Sequence, residues 1–486
     1  MNTVPFITIA FIFLCDSLVL CQYDHQLRIT PYGPFSNQHF GSSVDIHQNT
    51  YVIGAAMEYM EGQGAVYVYG QYGTTLHLES VLSPDTAHSI DQFGASVAIE
   101  DSFLVVGAPY SSNEQNLDGM VFVYLHTGEE WVQHSMLYPG YPIPGGKFGL
   151  AMAIALPYLI VGDAEGTVVI YKLDNGYWAE DTVLYGPGFV DVDIDGEYAV
   201  LGASGDNALG YGSGAAYVYR REGASWVEEI RLVASDGEAH DAFGSSVAID
   251  GEYILIGAGY ADGQYSSSGA AYVYQRHDDQ WLQKAKLSAD DGGFNDCFGC
   301  SMAMDGQRAL VGAGKADATA IASGAAYYYQ FDGSQWVQSQ KFAPLNLGRS
   351  AKFGRAVAIY ADKCLIGASE ADEAYLFTNT PVTLAGENDP PKVPGSFFLT
   401  QNHPNPFNPS TTISYDLPEA AMVRLVVHDL QGREITRLAD SYLPAGSYES
   451  IWDGRSADGR LLPSGIYIAR LETAGYSKSI KMVLLK

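Results

Sequence analysis

The stretch DVDIDGEYA (residues 191–199) contains residue types that could bind a metal ion. Asp191, Asp193 and Asp195 stand in the D-x-D-x-D-G order that begins a calcium-binding loop. The ninth position of that loop is Ala199, so the later acidic ligand is missing. These carboxylates are therefore weak candidates for calcium. No other cofactor is indicated.

A second set of candidates consists of aromatic residues in segments rich in Asp, Asn, Ser and Gly. Rings beside carboxylates and amides suit carbohydrates, because the apolar face of a sugar stacks on a ring while its hydroxyls find acceptors. They also suit a protein partner, since Tyr is enriched at interfaces. The candidate ligand-binding residues are Tyr59, Tyr110, Tyr211, Tyr260, Tyr265 and Phe294, together with Asp191 and Asp193.

No catalytic motif is found: the chain lacks G-x-S-x-G, H-E-x-x-H and a phosphate-binding loop. Carboxylates are so abundant that a glycosidase pair could be assembled almost anywhere, so none is assigned. We expect a protein that is not an enzyme. The alternatives are a polysaccharide lyase or hydrolase, or a structural surface component.

The first 21 residues predict an export signal. VPFITIAFIFL (4–14) is an apolar run that is short for a membrane span, and Val19 and Cys21 suit cleavage before Gln22. A lipoprotein anchored at Cys21 is the alternative. No later segment is predicted to cross a membrane. Cys297, Cys300 and Cys364 would remain in the mature chain, and we expect them to act as small apolar residues at repeat positions.

The charge distribution excludes some partners. The chain has a formal net charge of −30, and residues 22–380 contain 16 Lys and Arg against 44 Asp and Glu. Such an acidic body repels nucleic acid and anionic membranes. It is compatible with solubility outside a cell, or with neutral or cationic ligands.

The positions of these residues depend on an internal repeat. A Phe-Gly dipeptide falls at 40, 93, 148, 243, 298 and 353, with Gly188 at the matching place in a further unit. Each unit reads as a VAI-like strand A, a YILIGA-like strand B and an AYVY-like strand C, and most continue into a strand D that begins at Trp. Four antiparallel strands recurring about every 53 to 55 residues indicate the blades of a β-propeller. Seven units predict seven blades.

The seventh unit lacks a strand D of its own. LRIT (27–30) stands before the first unit at the spacing of a strand D, so we expect it to close the ring by completing blade seven. The turns between strands A and B are short, whereas the B–C and D–A loops are long and open on one face. We expect the binding face there. Asp91, Asp241 and Asp296 each stand two residues before a Phe-Gly, and this placement favours a structural hydrogen bond.

The order FG, VAI, IGA and AYVY over residues 25–380 resembles the FG-GAP repeat propellers, which are related in design to the integrin α-subunit head. In integrin-type repeats an acidic calcium loop often joins strands A and B. Here turns such as IDGEY (249–253) replace it, which argues against calcium at those positions.

The repeat stops at residue 380. Residues 381–396 read as a linker, and residues 397–486 as a small Ig-like β-sandwich. NPFNPST (405–411) and SGIY (464–467) resemble the C-terminal sorting domain of type IX secretion substrates. The resemblance implies a sorting signal that includes Asn405, Pro406, Phe407, Asn408, Pro409, Ser464 and Gly465. It also implies type IX machinery as a partner and a secreted or outer-surface location in a Gram-negative, Bacteroidota-like bacterium. An ordinary Ig-like module is the alternative.

The sequence therefore predicts an all-β protein, a seven-bladed β-propeller followed by an Ig-like β-sandwich. Its domains are a signal peptide (1–21), a propeller (22–380), a linker (381–396) and a sorting domain (397–486). The expected function is binding or adhesion, with a glycan or an extracellular protein as the partner.

Overall fold

The computed structural model describes residues 23–31, 39–56, 64–83, 92–111, 118–128, 130–140, 145–385, 397–402, 404–418, 421–443, 446–457 and 459–485. The described chain is all-β apart from one short 3₁₀ turn, Ser369–Ala371, so the predicted fold class is confirmed at this level. No described helix is long or apolar enough to cross a membrane. The predicted signal peptide and most of the predicted linker lie outside the described residues.

Between His25 and Leu384 the described strands form seven sheets, which we call blades one to seven in chain order. Strand β1 (His25–Ile29) precedes them. Blade one contains β2 (Phe40–His47), β3 (Thr50–Ala55), β4 (Ala65–Tyr72) and β5 (Thr75–Leu82). Blade two contains β6 (Ser96–Glu100), β7 (Phe103–Ala108), β8 (Met120–His126) and β9 (Trp131–Leu137). Blade three contains β10 (Ala151–Ala155), β11 (Tyr158–Gly162), β12 (Thr167–Asp174) and β13 (Tyr177–Tyr185).

Blades four to six follow the same plan. Blade four contains β14 (Asp191–Asp195), β15 (Tyr198–Ala203), β16 (Ala215–Glu222) and β17 (Ser225–Leu232). Blade five contains β18 (Phe243–Asp250), β19 (Tyr253–Ala258), β20 (Ala270–His277) and β21 (Gln280–Leu287). Blade six contains β22 (Phe298–Asp305), β23 (Arg308–Ala313), β24 (Ala325–Phe331) and β25 (Trp336–Phe342).

Blade seven is assembled from both ends of the repeat region. It contains β26 (Phe353–Tyr360), β27 (Lys363–Ala368) and β28 (Glu373–Thr378), and β1 pairs antiparallel with β28 from His25↔Thr378 to Ile29↔Ala374. A short strand β29 (Thr383–Leu384) then pairs in parallel with β5 of blade one. Both connections therefore lie at the seam between blades seven and one.

The first strand of each blade contacts the first strand of the next, and the series returns from β26 to β2. These inner strands surround a channel of about 430 Å³. The hydrophobic core lies between neighbouring blades. One cluster, for example, joins Val200 of blade four to Phe243 and Trp281 of blade five. A closed ring of this kind leaves each blade's apolar faces covered on both sides.

The repeated Phe-Gly has a steric cause. Phe243 is buried between blades, and the following Gly244 has φ +84°. A Cβ on Gly244 would lie 2.2 Å from the carbonyl oxygen of Ala215, which begins the third strand of the preceding blade. Only glycine allows the backbone to approach that closely in that conformation.

The C-terminal part is a two-sheet sandwich, as the strand pattern predicts. One sheet contains β30 (Phe398–Leu399), β31 (Thr411–Leu417) and β34 (Gly446–Trp452). The other contains β32 (Ala421–His428), β33 (Glu434–Leu443), β35 (Gly465–Glu472) and β36 (Ser477–Leu484). Trp452, Phe407 and Tyr467 lie in the core between the sheets.

Candidate functional site

The predicted ligand-binding residues divide between two places. Tyr211, Tyr260, Tyr265 and Phe294 are exposed on loops that connect strands B and C, or that connect one blade to the next. Asp191 and Asp193 line the channel instead. Tyr110 is half-buried, and the Lys147 ammonium lies 5.0 Å from the centre of its ring. Tyr59 lies outside the described residues.

The B–C loops of blades four, five and six are built by the same side-chain hydrogen bond. The side-chain oxygen of Asn207 accepts the N–H of Gly212 at 2.8 Å. Asp262 accepts the N–H of Ser267 at 2.7 Å, and Asp317 accepts the N–H of Ala322 at 2.7 Å. A residue that accepts a hydrogen bond from its own loop fixes the loop's shape. These three residues therefore have a structural role.

The loop that enters blade five packs on the B–C loop of blade four. The N–H groups of His240 and Ala242 donate to the carbonyl oxygens of Tyr211 (2.9 Å) and Gly212 (3.1 Å). The rings of Tyr211 and His240 also meet edge to face, with centroids 5.4 Å apart. The two loops thus form one continuous wall.

These loops enclose a cavity of about 790 Å³, which we call the 4/5 cleft. It lies between the loops of blades four and five, on the face that the loop lengths predict. Its lining is mostly polar, and it includes the rings of Tyr260 and His240. The lining residues are Ser204, Gly212, Asp236, Glu238, Ala239, His240, Asp241, Ala242, Tyr260, Asp262, Ser266, Ser267 and Lys286.

The charges in the cleft have different roles. Asp236 accepts hydrogen bonds from Lys286 Nζ at 2.7 Å and from the Tyr272 hydroxyl at 3.0 Å. Burial opposes the ionisation of Asp236, but these two donors outweigh it and lower its pKa. Burial raises the pKa of Asp241, and the nearby carboxylates of Glu238 and Asp262 raise it further. Among the described lining residues Lys286 is the only Lys or Arg, so the cleft is acidic.

The Asp–cation–Tyr arrangement recurs around the ring. Asp291 accepts from Lys341 and from Tyr327, and Asp206 accepts from Arg231 and from Tyr217. In blade seven Glu373 accepts from Arg28 and from Tyr375, so β1 supplies the cation. This feature was not predicted from the sequence. Its signal was a basic residue directly before the last buried residue of strand D, as in Arg231-Leu232, Lys286-Leu287, Lys341-Phe342 and Arg28-Ile29.

The structural role predicted for the Asp residues before Phe-Gly is confirmed at two of the three positions. Asp241 Oδ2 accepts the N–H of Glu238 at 2.7 Å, and Asp296 Oδ2 accepts the N–H of Gly293 at 2.6 Å. Each carboxylate therefore closes the loop that leads into the next blade. Asp91 lies outside the described residues.

The metal candidates occupy a different environment. Val247 and Ile249 of β18 donate their N–H groups to Asp191 (2.8 Å) and Asp193 (2.8 Å) of β14, and Gly251, in the turn after β18, donates to Asp195 (2.7 Å). The three carboxylates are thus spread along one strand and do not converge. Across the described residues, no group of three or more His, Cys, Asp or Glu side chains is arranged to hold a metal ion.

Similar bonds join other neighbouring blades along the channel. Inner strands are edge strands, so the N–H groups of these strands and of the turns that follow them need acceptors. The donor–acceptor pairs are Ile99 to Asp45 (2.8 Å), Leu156 to Glu100 (2.5 Å), Gly306 to Asp250 (2.5 Å) and Ala361 to Asp305 (2.6 Å). Burial raises the pKa of Asp191 to about 7 and that of Asp193 to about 8. These carboxylates therefore connect neighbouring blades, but burial makes their ionised form unfavourable.

The expectation that Cys297 and Cys300 act only as small apolar residues is wrong. They form a disulfide with a Cα–Cα distance of 5.5 Å. The reason is a tight turn in which the N–H of Cys300 donates to the carbonyl oxygen of Cys297 at 3.1 Å, which brings the two side chains together. Cys364 is buried, in agreement with its expected packing role.

The residues of the predicted sorting signal lie partly in the sandwich core. Phe407 is buried against Trp452, and Asn405 accepts the N–H of Val483 at 2.9 Å, which anchors the last strand. Pro406, Asn408 and Pro409 are exposed. Gly465 begins β35, and Ser464 directly precedes it. The motif therefore combines a structural part with an accessible part.

Two family models match segments of the chain. Residues 23–69, 77–124, 226–274 and 281–329 match the FG-GAP repeat family, and residues 407–475 match the FlgD Ig-like domain family. These four matches support an FG-GAP β-propeller in the repeat region. A comparison with curated proteins gave no match.

Two solved structures are similar to the chain at low identity. One is PorZ, a surface component of the type-IX secretion system of Porphyromonas gingivalis, at 13% identity and a TM-score of 0.44. That match covers 93% of this chain and 60% of PorZ, so the chain spans less than two thirds of PorZ. The other is a chain of a mitotic checkpoint complex, at 12% identity and a TM-score of 0.49, with 78% of this chain and 100% of the other covered.

Proposed function

We propose that this FG-GAP β-propeller, a seven-bladed ring followed by an Ig-like sandwich, is a secreted or cell-surface binding protein whose 4/5 cleft receives a glycan. The observation that carries the proposal is the cleft itself. It is a large polar cavity with Tyr260 in its lining and the exposed rings of Tyr211 and Tyr265 on the same loops.

The chemistry of the cleft favours a carbohydrate. Tyr211 is 75% exposed and Tyr265 is 57% exposed, so both rings offer apolar faces on which a sugar can stack. Glu238, Asp262, Ser266 and Ser267 supply acceptors and hydroxyls for sugar hydroxyl groups. The acidic surface repels anionic polymers, which favours neutral chains.

The test is affinity electrophoresis of the full chain through gels that contain xyloglucan, arabinoxylan, galactomannan, laminarin or dextran. We expect at least one polysaccharide to retard the protein. Replacing both Tyr211 and Tyr260 with Ala should weaken that binding at least about tenfold, because it removes the Tyr260 ring from the cleft lining and an exposed ring from the adjoining loop. The gels are then assayed for new chain ends.

The matched control is Tyr177→Ala. Tyr177 is also 75% exposed, but it lies at the turn between β12 and β13, on the opposite face of the ring. Its variant should be retarded like the wild type. New chain ends would replace this proposal with an enzyme. If no gel retards the protein, the proposal of a glycan ligand is wrong, and an extracellular protein becomes the favoured ligand.

The sandwich is proposed to be a type IX sorting domain that directs export and is then removed, in a Gram-negative, Bacteroidota-like bacterium. The proposal rests on the resemblance of NPFNPST and SGIY, and the exposure of Pro406, Asn408 and Pro409 supports it. We expect Asn408→Ala with Pro409→Ala to retain the protein in the periplasm while the fold persists. Gln431→Ala, at an exposed position elsewhere in the sandwich, is the control. Normal surface delivery of the double variant would contradict the assignment.

A further inference from the structure

The loops that build the 4/5 cleft recur one blade further along the ring. The B–C loops of blades five and six both run from Gly-Ala to Ser-Gly, at 257–269 and 312–324, and are the same length. Each is closed by an Asp at the same place, Asp262 or Asp317. The N–H of Asn295 donates to the carbonyl oxygen of Ser267 at 3.0 Å, so the next D–A loop packs on the blade-five loop as His240 packs on Tyr211.

The polar groups are also repeated. Asp291 accepts from Lys341 Nζ at 2.5 Å and from the Tyr327 hydroxyl at 3.0 Å, matching Asp236, Lys286 and Tyr272. Burial opposes the ionisation of Asp291, but the Lys341 and Tyr327 donors outweigh it and lower the pKa of Asp291, as at Asp236. The scaffold of the 4/5 cleft therefore exists a second time between blades five and six.

The two places differ in the residues that a ligand would touch. Counting back from the Phe-Gly, Phe294 takes the position of Ala239, which lines the 4/5 cleft. Phe294 is 77% exposed. Lys315 takes the position of Tyr260, and its ammonium lies 5.3 Å from the centre of the Tyr260 ring. The B–C loop of blade five therefore lies between the two places. It contributes Tyr260 to the 4/5 cleft, and Phe294 lies on the loop that enters blade six.

We propose that the loops between blades five and six form a second subsite, with Phe294 as its stacking surface, and that the two subsites bind successive parts of one linear, neutral polysaccharide chain. This inference rests on the proposed function. Two related sites at a fixed spacing on a rigid ring fit a ligand that itself repeats. The second contact of such a ligand is intramolecular, so it raises affinity without requiring a stronger individual site.

The experiment uses the panel polysaccharide that gives the strongest retardation, cut into size-fractionated oligosaccharides from disaccharide to octasaccharide. Affinities of the full chain are measured by titration calorimetry. We expect the affinity to rise at least about tenfold once the oligosaccharide is long enough to reach both subsites. In Phe294→Ala the short oligosaccharides should bind as in the wild type, and the rise should be lost.

The controls separate this inference from the proposed function. Phe294 is exposed, so its variant should melt like the wild type, and Tyr177→Ala should keep both the short-chain affinity and the rise. Equal affinity at all lengths, or a rise that survives in Phe294→Ala, would overturn the second subsite while leaving the 4/5 cleft intact. If no panel polysaccharide binds, the proposed function fails and this inference fails with it.

Discussion

Deletion of residues 22–32 is expected to lower the melting temperature of the propeller sharply, because it removes β1 from blade seven. That strand forms five residue pairs with β28. Ile29 is fully buried in the cluster that joins blades seven and one, and Arg28 supplies the cation for Glu373. Without β1 the apolar surface of both blades at this seam would be open to water, and the N–H and C=O groups of β28 that pair with β1 would lose their partners.

A point substitution tests the same contact without shortening the chain. Ile29→Ala should cost about 2–5 kcal/mol of unfolding free energy, as the truncation of a buried Ile usually does. Gln26→Ala, at an exposed position of the same strand, should change stability by less than about 0.5 kcal/mol. Scanning calorimetry of the full chain measures both. An unchanged melting curve after the deletion would show that the ring does not depend on β1.

The second large effect concerns pH and the channel carboxylates. Burial raises the pKa of Asp191 to about 7 and that of Asp193 to about 8, from an ordinary value of 3.8. Between about pH 4 and pH 8 the folded protein therefore binds protons that the unfolded chain has released. The contribution of these two carboxylates to the unfolding free energy must therefore fall as the pH rises through that range. Each unit by which folding raises a pKa corresponds to about 1.4 kcal/mol of unfolding free energy.

Replacing both residues with Asn removes the charge and keeps an oxygen to accept the N–H groups of Val247 and Ile249. We expect the double variant to be more stable than the wild type at pH 8 by at least about 2 kcal/mol, with a much smaller difference at pH 4. Chemical denaturation at the two pH values measures this. Asp195→Asn, at the half-buried end of the same strand, is the matched control, because Asp195 also accepts a backbone N–H from the next blade. A double variant that is less stable at pH 8 would mean that the charged form strengthens the ring.

The repeat made much of the fold predictable. Phe-Gly, the aromatic third strand and the Trp of the fourth strand recur at a fixed spacing, so blade boundaries could be placed by counting. The spacing of LRIT also led to the strand that pairs with β28. The pairing of β29 with β5 could not be predicted from the sequence, because a strand of two residues is too short to show a hydrophobic pattern.

The candidate site was predictable only in part. Loop length indicated the face that holds Tyr211 and Tyr260, but a cavity depends on how two loops from different blades meet. The partners of Asp191 and Asp193 were hidden for a similar reason. They are backbone N–H groups of the next blade, which carry no sequence signature. The Cys297–Cys300 disulfide depends on a turn geometry that residue types alone do not specify.

The most direct test of the central claim is to map where a bound polysaccharide protects the protein. Hydrogen exchange of the full chain is compared with and without the panel polysaccharide that retards it most. We predict protection in residues 204–214, 236–242 and 260–267, which form the walls of the 4/5 cleft. Protection confined to the turns between first and second strands, on the opposite face, would contradict the account.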